Sequence, residues 1–569
     1  MNHSPLDPDS TSRAARLRPF GLGVAAAFLG LALVPESTWI EIFQHPIRVE
    51  RLGGVPDTTK SGIQLLRFLL WIAAIAWLFQ PFAQRWLDRR LPCPSRPADR
   101  QIGTGVLGLL MLITIVGIVL RGLRLQESLW YDEIAAMISS SLHGPGVAFG
   151  NYHALANHAL HSAIAAISLR TLGGEDAELA LRLPAFLAGV ACIPAMFNLG
   201  RAVADDRLGL IAAMIVALMP VAILESAEAR GYSMVMFFAI LATLAWLRIG
   251  DGRAFAIPAY ALLVSLGCWT HLVFACVPLG HGLQAIIRGI RHAEARPAAA
   301  RWAVALMLGG VTTMTLIAPL IPDILARRSE FIAIDGDEPS IFGIEGWMAL
   351  LQLGGTWNWW TAIPGLALFG FGITEASRWP RIRLASHAGL AGGLVALMLV
   401  LGGGSWIYAR FLVFLLIPAA LLIAAGLEGM AIFTRRGYPS MLAGAGLIVA
   451  WMLSLAILPA KQPIRDGVEL ARTLVGPEEA IWSIGLGDDV AMFYTEGRGP
   501  RLVHAPSLGA ELGSNDLAVG PNVALMLYPD RVSPETWSEL EAAGFESAGR
   551  FEGWLDWGNG DVMVLQRVR

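Results

Sequence analysis

Two neighbouring carboxylates, Asp132 and Glu133, end the segment 127–133, directly after Trp130 and Tyr131. Successive residues of a helix point roughly 100° apart, so the two carboxylates need not share a task. One can act as a general base while the other binds a cation or orients the segment. Alternatively, the acidic pair only marks the water side of a membrane boundary, with Trp130 and Tyr131 as interfacial anchors.

A second group of ionisable residues lies in the segment 225–232, which is nearly the whole connection between two apolar stretches. It contains Glu225, Glu228 and Arg230. Ionisable residues at or just within a membrane surface pair with each other or face a polar cavity. A Glu228–Arg230 ion pair with a purely structural role is the alternative.

Three histidines and a further arginine stand at the ends of other apolar stretches. His158 and His161 are spaced i, i+3 and could share a helix face, and His271 lies in an outer turn. Arg410 opens an apolar stretch. Metal binding is the functional interpretation of the histidine spacing. Satisfied interfacial histidines, and an arginine that extends to the lipid headgroups, are the structural one.

The composition identifies the elements that must position these residues. Of 569 residues, 55% are hydrophobic and only 15% are charged, and the mean hydropathy is +0.56. Soluble proteins carry about 25% charged residues, so this chain is a polytopic membrane protein. The net charge of −3 predicts no attraction to nucleic acid. The four cysteines form no CxxC pair, which argues against a zinc site or a disulfide framework.

Apolar stretches of about 17–25 residues predict about thirteen transmembrane helices. We expect the first to be an uncleaved anchor, because no small-x-small cleavage site follows it. The predicted helices lie near 19–35, 62–82, 102–122, 182–199, 207–224, 231–249, 254–270, 272–289, 302–322, 361–377, 387–402, 407–427 and 439–459.

Arginine-rich loops set the orientation. The loops 85–100, 288–301, 378–383 and 435–436 are predicted to be cytoplasmic, which places the N-terminus inside and the C-terminal tail outside. The residues with candidate chemistry then share the external face. That face comprises 123–181, 225–230, 270–271, 323–360 and 403–406.

The tail changes character after Pro459. Its pattern predicts a small α/β domain outside the membrane, so the chain divides into an N-terminal extension with two transmembrane helices (1–100), a membrane domain (101–460) and this domain (461–569). Its predicted elements are helices at 464–475 and 533–543, strands at 480–486, 523–528 and 561–568, and a short helix or strand at 489–494.

Taken together, these segments resemble the family 39 glycosyltransferases of the C-type (GT-C) superfamily, whose relatives include protein O-mannosyltransferases and the lipid A aminoarabinose transferase. The resemblance covers roughly residues 100–460. It implies an α-helical polytopic membrane protein of GT-C type, with about thirteen transmembrane helices and a small extracytoplasmic α/β domain. The pieces that carry it, in order, are 128–133, 180–185, 225–233, 270–271 and 410–412.

The resemblance implies an enzyme that moves a sugar from a polyprenyl-phosphate donor to a glycan, lipid or protein acceptor on the extracytoplasmic face. Asp132 then corresponds to the catalytic carboxylate and general base, and Glu133 to its acidic neighbour. Direct displacement would invert the anomeric configuration. The residues assigned to substrate and lipid-phosphate binding are Arg230, Arg410, Glu228, Tyr232, His271 and His158.

Cofactor needs follow from the donor. An isoprenoid phosphate is already an activated leaving group, and the sequence has no Gly-rich phosphate motif, so no nucleotide cofactor is expected. Whether Asp132 and Glu133 bind a divalent cation such as Mg²⁺ or Mn²⁺ is an alternative that the sequence leaves open. The chain departs from the family where relatives carry His-Pro-Pro-Leu-Tyr, because 157–161 reads Asn-His-Ala-Leu-His. The two leading transmembrane helices precede the usual family start and receive no role.

Two other functions compete with the transferase. A transporter or flippase of lipid-linked sugars would also place charges in a membrane cavity, but it usually has polar access from both faces and pseudo-symmetric halves. A non-catalytic scaffold that presents the C-terminal domain would tolerate the loss of Asp132. Arginine-rich usage, with Lys60 and Lys461 as the only lysines, favours a bacterial plasma membrane.

Overall fold

The computed structural model describes residues 8–91, 101–154, 157–173, 177–253, 255–331, 341–403, 407–434, 437–475, 480–484, 493–494, 502–504, 521–555 and 560–568. They form two compact units. The first joins Met1–Leu123 with Ser140–Leu455, and the second joins Arg124–Ser139 with Ala456–Arg569. The short segment that contains Asp132 therefore belongs with the C-terminal residues, although the sequence places it inside the membrane domain. The predicted domain boundaries stay predictions.

Helices dominate the described residues. In chain order the α-helices are α1 (Pro8–Ala32), α2 (Glu36–Phe43), α3 (Pro46–Leu52), α4 (Asp57–Arg90), α5 (Thr104–Gly122), α6 (Tyr131–Ser139), α7 (Pro145–Gly150), α8 (Ala159–Leu172), α9 (Ala177–Val203), α10 (Asp206–Leu218), α11 (Pro220–Leu224), α12 (Tyr232–Gly250), α13 (Ala256–Thr270), α14 (Cys276–Arg291), α15 (Arg296–Ile317), α16 (Ile321–Ala326), α17 (Ile344–Leu351), α18 (Trp359–Glu375), α19 (Pro380–Gly403), α20 (Leu416–Phe433), α21 (Tyr438–Ile457), α22 (Ile464–Leu474) and α23 (Pro534–Ala542). The 3₁₀ helices Leu272–Ala275 and Ala409–Leu415 precede α14 and α20.

Nine helices within the described residues are long and apolar enough to cross a membrane. A bent pair, Pro19–Ala32 and Glu36–Phe43, turns through 91° and would make ten if it forms one span. The predicted count of thirteen is therefore not confirmed. The predicted stretches 254–270 and 361–377 form helices of only 15 and 17 residues. The stretch 207–224 breaks before Pro220, because proline has no backbone N–H to donate to a continuing helix.

The N-terminal helices pack into the first unit. Helix α1 lies against α4, and α4 lies against α15. The indole N–H of Trp77 donates to Thr312 Oγ1 at 2.9 Å across the buried contact between α4 and α15. A side chain at Gly62 would meet the Pro319 carbonyl oxygen at 2.5 Å, so the glycine permits this close approach. The predicted extension is thus an integral part of the first unit.

The second unit contains a five-stranded sheet of β1 (Ile481–Ile484), β2 (Leu502–His504), β3 (Val523–Leu527), β4 (Phe545–Phe551) and β5 (Val562–Arg567). The strand order is β2-β1-β3-β5-β4. Strands β2, β1 and β3 are parallel, and β5 runs antiparallel to both β3 and β4. Helix α22 packs against β3 and β5, where Gly467 leaves room for Val562. The core on the sheet combines Trp482, Ile484, Ala524, Met526, Leu540, Phe545, Met563 and Leu565.

Most predicted elements of this unit are present. Helices α22 and α23 and strands β1, β3 and β5 lie within a few residues of the predicted bounds. The predicted element at 489–494 lies largely outside the described residues. Strand β4 was not predicted, because only its first residue, Phe545, is buried and the strand lies at the edge of the sheet.

Candidate active site

The acidic segment, residues 127–133, leads into α6 of the second unit. Asp132 and Glu133 both lie in the first turn of this helix. Their environments differ, because Asp132 is half-buried whereas Glu133 is only 1% exposed. The two neighbouring carboxylates can therefore serve different purposes, as the sequence predicts.

Glu133 caps the helix to which it belongs. Its Oε2 accepts the backbone N–H of Trp130 at 3.1 Å, and the Trp130 carbonyl accepts the first helical N–H of Glu133 at 3.0 Å. An acidic side chain that reaches back from the third helical position to the residue before the helix is half of a capping box. Glu133 thus fixes the start of α6 and the orientation of Asp132 beside it.

Residues from the C-terminal part of the unit hold the backbone of the acidic segment. The N–H of Leu129 donates to the Tyr494 hydroxyl at 2.7 Å, and the N–H of Tyr131 donates to Gln462 Oε1 at 3.0 Å. The N–H of Arg465 donates to Ser128 Oγ at 3.1 Å. Backbone groups that precede a helix and are not bonded within it need such partners. The C-terminal residues therefore determine where the acidic segment lies.

Lys461 supports the same segment from its aromatic side. Its ammonium group lies 4.0 Å from the ring centroid of Trp130 and 5.0 Å from that of Trp554. The residue is only 4% exposed, and such a desolvated cation gains more from an aromatic face than an exposed one. Lys461 thereby fixes Trp130, the residue that precedes α6.

A metal role for Asp132 and Glu133 depends on further ligands. Throughout the described parts of the chain, no group of three or more His, Cys, Asp or Glu side chains lies close enough to hold a metal ion. Glu133 is in addition committed to the helix cap. A metal site at this pair, or at His158 and His161, stays a prediction.

The first unit brings five of the predicted residues together. We call Arg230, Arg410, His158, His271 and Tyr232 the basic cluster. Arg230 lies in the turn before α12 and is 3% exposed, and its Nη2 lies 3.1 Å from His158 Nε2. The ring centroid of His158 lies 4.7 Å from that of His271 and 4.9 Å from that of Tyr232.

The histidines of the cluster are neutral. Burial and the charges of Arg230 and Arg410 hold the pKa of His158 well below its ordinary value, and they lower the pKa of His271 to about 3. The charged groups that act on both histidines are guanidinium groups. An imidazolium here would add a third positive charge, so the neutral forms are the stable ones.

The hydrogen bonds assign the protons of both rings. Gly231 N–H donates to His158 Nδ1 at 2.8 Å, and Val273 N–H donates to His271 Nδ1 at 3.2 Å. A neutral imidazole that accepts at Nδ1 carries its proton on Nε2. The 3.1 Å contact between His158 Nε2 and Arg230 Nη2 therefore brings two donors together and is not a hydrogen bond. An oxygen with negative charge that reaches both donors would resolve this conflict.

Aromatic rings surround the donors. The ring of Phe411 lies 5.1 Å from His271 and 6.3 Å from Tyr232, in a stacked arrangement with the tyrosine. The guanidinium of Arg410 lies 3.9 Å from the ring centroid of Tyr408. An arginine that only snorkels would extend away from its neighbours, whereas Arg410 stacks on the tyrosine two residues before it. The cluster thus combines two guanidinium groups with an apolar wall.

A glutamate fixes the backbone beside Arg410. Glu345 Oε2 accepts the N–H of Ala409 at 2.5 Å, and Glu345 is buried in α17. This carboxylate holds the start of the 3₁₀ helix that carries Arg410 and Phe411. The sequence does not assign Glu345 a role, because an isolated acidic residue in an apolar segment has no distinguishing spacing.

Tyr152 is a further member that the sequence does not indicate. Burial raises the pKa of Tyr152 to about 12, and the charge of nearby Arg230 opposes this effect. The hydroxyl group is therefore neutral. Tyr152 follows the last residue of the acidic segment by nineteen positions, and it carries no motif that could have identified it.

The remaining predicted residues are buried close by in the chain. Glu225 and Glu228 lie in the turn that carries Arg230 and are 0% and 6% exposed. His161 is buried in the first turn of α8, and His158 is the residue directly before that helix. The structural Glu228–Arg230 ion pair stays an alternative for Glu228.

Comparison of sequences finds no protein-family model and no curated protein that matches the chain. Comparison of structures does find similar folds. ArnT from Cupriavidus metallidurans in the apo state has a TM-score of 0.53 at 16% identity, over 82% of this chain and 99% of that one. The same protein bound to undecaprenyl phosphate has a TM-score of 0.51 at 15% identity, over 81% and 98%. The chain therefore has a fold similar to that of ArnT.

Proposed function

We propose that the chain is a membrane glycosyltransferase that moves a sugar from a polyprenyl-phosphate donor to an acceptor hydroxyl on the extracytoplasmic face. The observation that carries this proposal is the convergence of donors in the basic cluster. Two guanidinium groups and the Nε2–H groups of His158 and His271 meet in a buried, aromatic-lined site. Phosphate oxygens accept such charge-assisted hydrogen bonds in pairs from arginine.

The nature of the anion follows from the surroundings. The cluster lies between helices of a membrane unit, and its walls include Tyr232 and Phe411. A phosphate joined to an isoprenoid chain fits a site that is both cationic and apolar. The similar fold of ArnT, which has been crystallised with undecaprenyl phosphate, supports this choice of ligand class.

The proposed reaction is a direct displacement. Asp132 removes the proton of the acceptor hydroxyl while the oxygen of that hydroxyl attacks the anomeric carbon of the sugar. The bond from that carbon to the phosphate oxygen breaks, and the electron pair leaves with the polyprenyl phosphate. Arg230 and Arg410 stabilise the charge that develops on the departing phosphate, an interaction that strengthens in the transition state. Attack from the face opposite the leaving group inverts the anomeric carbon.

Lipid binding tests the role of Arg230. Detergent-purified wild type and Arg230→Ala are titrated with undecaprenyl phosphate. We expect the variant to bind at least about tenfold more weakly, because it loses charge-assisted hydrogen bonds worth about 1.5–3 kcal/mol each. Arg230→Lys keeps the charge but loses the planar fork, so its affinity should fall between the two.

A second arginine provides the matched control. Arg207 forms an ion pair with Glu428 at 2.9 Å and is largely exposed, so Arg207→Ala should bind the lipid like wild type. Equal affinity of wild type and Arg230→Ala would overturn the phosphate role. If the protein binds the lipid and moves lipid-linked sugar across a vesicle membrane without forming a glycoside, the transporter interpretation is correct instead.

A further inference from the structure

Helix α3 carries an arginine whose side chain is fully engaged. Arg48 binds Asp323 in a bidentate manner, with Nη1 to Oδ2 at 2.9 Å and Nη2 to Oδ1 at 3.0 Å. Nη1 also donates to Asn151 Oδ1 at 2.8 Å, and Nη2 donates to Thr58 Oγ1 at 3.2 Å. The side chains of Arg48 and Asp323 are 18% and 5% exposed, so this is a largely buried fork-to-carboxylate pair.

The same carboxylate holds the backbone of a distant segment. Asp323 Oδ2 accepts the N–H of Tyr152 at 2.9 Å. Beside it, Asn151 Nδ2 donates to the Phe43 carbonyl at 2.6 Å, and Asn157 Nδ2 donates to the Asn151 carbonyl at 2.8 Å. Each end of the segment Asn151–His158 is therefore tied to a fixed point.

This segment ends in the basic cluster. His158 follows Asn157 directly and accepts the Gly231 N–H, and Tyr152 lies close enough to Arg230 for its charge to act on the hydroxyl. Hydrogen bonds from Arg48 to Asn151, from Asn157 to the Asn151 carbonyl and from Gly231 to His158, joined by the chain itself between Asn157 and His158, thus connect Arg48 to the turn that carries Arg230. Every contact in this connection lies within the first unit.

We propose that Arg48 and Asp323 are positioning residues for the basic cluster, and that through them the N-terminal helices α2 and α3 are part of the transferase machinery. The pair keeps Tyr152 and His158 against Arg230. This inference rests on the proposed function for its catalytic meaning. Asp323 remains charged in this role, because hydrogen bonds from Arg48, Tyr152 and Thr58 outweigh its burial and keep its pKa below the ordinary value.

Two variants separate positioning from simple ion pairing. Asp323→Asn removes the charge but keeps an oxygen that can accept the Tyr152 N–H. The exchange Arg48→Asp/Asp323→Arg keeps an ion pair but places a donor opposite that N–H. A purely structural pair predicts that the exchange is the milder change. If Asp323 positions the Tyr152 backbone, Asp323→Asn should lose less transfer activity than Arg48→Asp/Asp323→Arg.

The control is another ion pair of the N-terminal helices. Arg67 contacts Glu36 at 3.3 Å, and both side chains are partly exposed. The described contacts of this pair do not include the segment Asn151–His158. Arg67→Ala should therefore leave transfer, lipid affinity and the exchange of the Tyr152 amide at wild-type values.

Three measurements are made on the full chain in detergent: the thermal midpoint, the affinity for undecaprenyl phosphate with kcat and KM of transfer, and hydrogen–deuterium exchange of the Tyr152 amide. We expect the charge-exchange variant to have a thermal midpoint at least as high as that of Asp323→Asn, but to lose on the order of 10- to 100-fold in lipid affinity or transfer, the size that misplacement of a binding group causes. Its Tyr152 amide should exchange faster than in Asp323→Asn.

The outcomes are distinct. Wild-type activity and lipid affinity in the exchange variant would overturn positioning and leave a structural ion pair. If the Tyr152 amide in Arg48→Asp/Asp323→Arg exchanges its hydrogen at the wild-type rate, the proposed connection from Asp323 to the Tyr152 backbone is overturned. If the wild type neither binds the lipid nor transfers sugar, the proposed function fails. Faster hydrogen–deuterium exchange of the Tyr152 amide in Arg48→Asp/Asp323→Arg would still support the connection from Arg48 to His158.

Discussion

The acidic segment and the basic cluster are held in place by different kinds of interaction. Neutral acceptors, Gln462 and Tyr494, fix the backbone before Asp132. A buried charge pair, Arg48 with Asp323, fixes the segment that reaches Arg230. Loss of a neutral hydrogen bond costs about 1 kcal/mol, whereas removal of one member of a buried ion pair costs about 3–5 kcal/mol. The acidic segment should therefore tolerate changes in its supports better than the basic cluster does.

The two regions also share a property. Each is supported by a part of the chain to which the sequence assigns no role: the basic cluster by residues before position 100, and the acidic segment by residues after 460. In both regions the supporting contacts reach backbone N–H groups. The two ends of the chain therefore support these two regions, each within its own unit, without contributing the groups that are proposed to react.

The largest expected effect comes from the reactive group of the acidic segment itself. Asp132→Asn keeps the shape of the side chain but cannot take up the acceptor proton at pH 7. Transfer should fall by about 10²-fold or more, while the affinity for undecaprenyl phosphate stays at the wild-type value. Initial rates with a lipid-linked sugar donor and equilibrium lipid binding check both statements. Loss of lipid binding in this variant would show that the two regions do not have separate tasks.

An intermediate effect is expected from a support of the acidic segment. Tyr494→Phe removes only the hydroxyl that accepts the Leu129 N–H. We expect a loss of about 1 kcal/mol in stability and a several-fold loss in transfer, with no change in lipid affinity. Differential scanning fluorimetry and initial rates measure these effects. Tyr438→Phe, which removes the hydroxyl of an exposed tyrosine in the first unit, is the matched control and should leave stability and transfer at wild-type values. A loss as large as that of the Arg48→Asp/Asp323→Arg exchange would contradict the comparison.

The smallest effect should follow from Glu133→Gln. The amide oxygen of glutamine can still accept the Trp130 N–H, so transfer should stay within about threefold of wild type. Glu133→Ala loses the cap and should cost about 1 kcal/mol of stability. Rates are measured with and without EDTA. If Glu133→Gln alone abolishes transfer and added Mg²⁺ or Mn²⁺ restores it, Glu133 is a metal ligand rather than a cap.

The sequence indicates the members of the basic cluster, because they stand in the short motifs that carry the family resemblance, while their role in binding stays a prediction. His158, Arg230, Tyr232, His271 and Arg410 are all brought together in the first unit. Motifs at the same end of successive transmembrane helices must lie near one another, so spacing along the chain translates into proximity.

The supports could not be predicted in this way. Arg48 and Asp323 are 275 residues apart, and Tyr131 and Gln462 are 331 apart. No periodicity connects such positions, and each residue alone has an ordinary surface or interfacial interpretation. The helix count is uncertain for a related reason. The mean hydropathy of a stretch is averaged across a break such as the one before Pro220, so two separate helices are counted as one apolar stretch.

Gly231 sets the inner width of the basic cluster. A Cβ atom at this position would lie 2.7 Å from Thr270 Cγ2 and 2.9 Å from His158 Nδ1. Because its N–H is also the donor that fixes the His158 proton, the backbone itself forms part of the wall. Saturation mutagenesis with selection for transfer should therefore return glycine alone at 231, while Thr270 accepts smaller side chains.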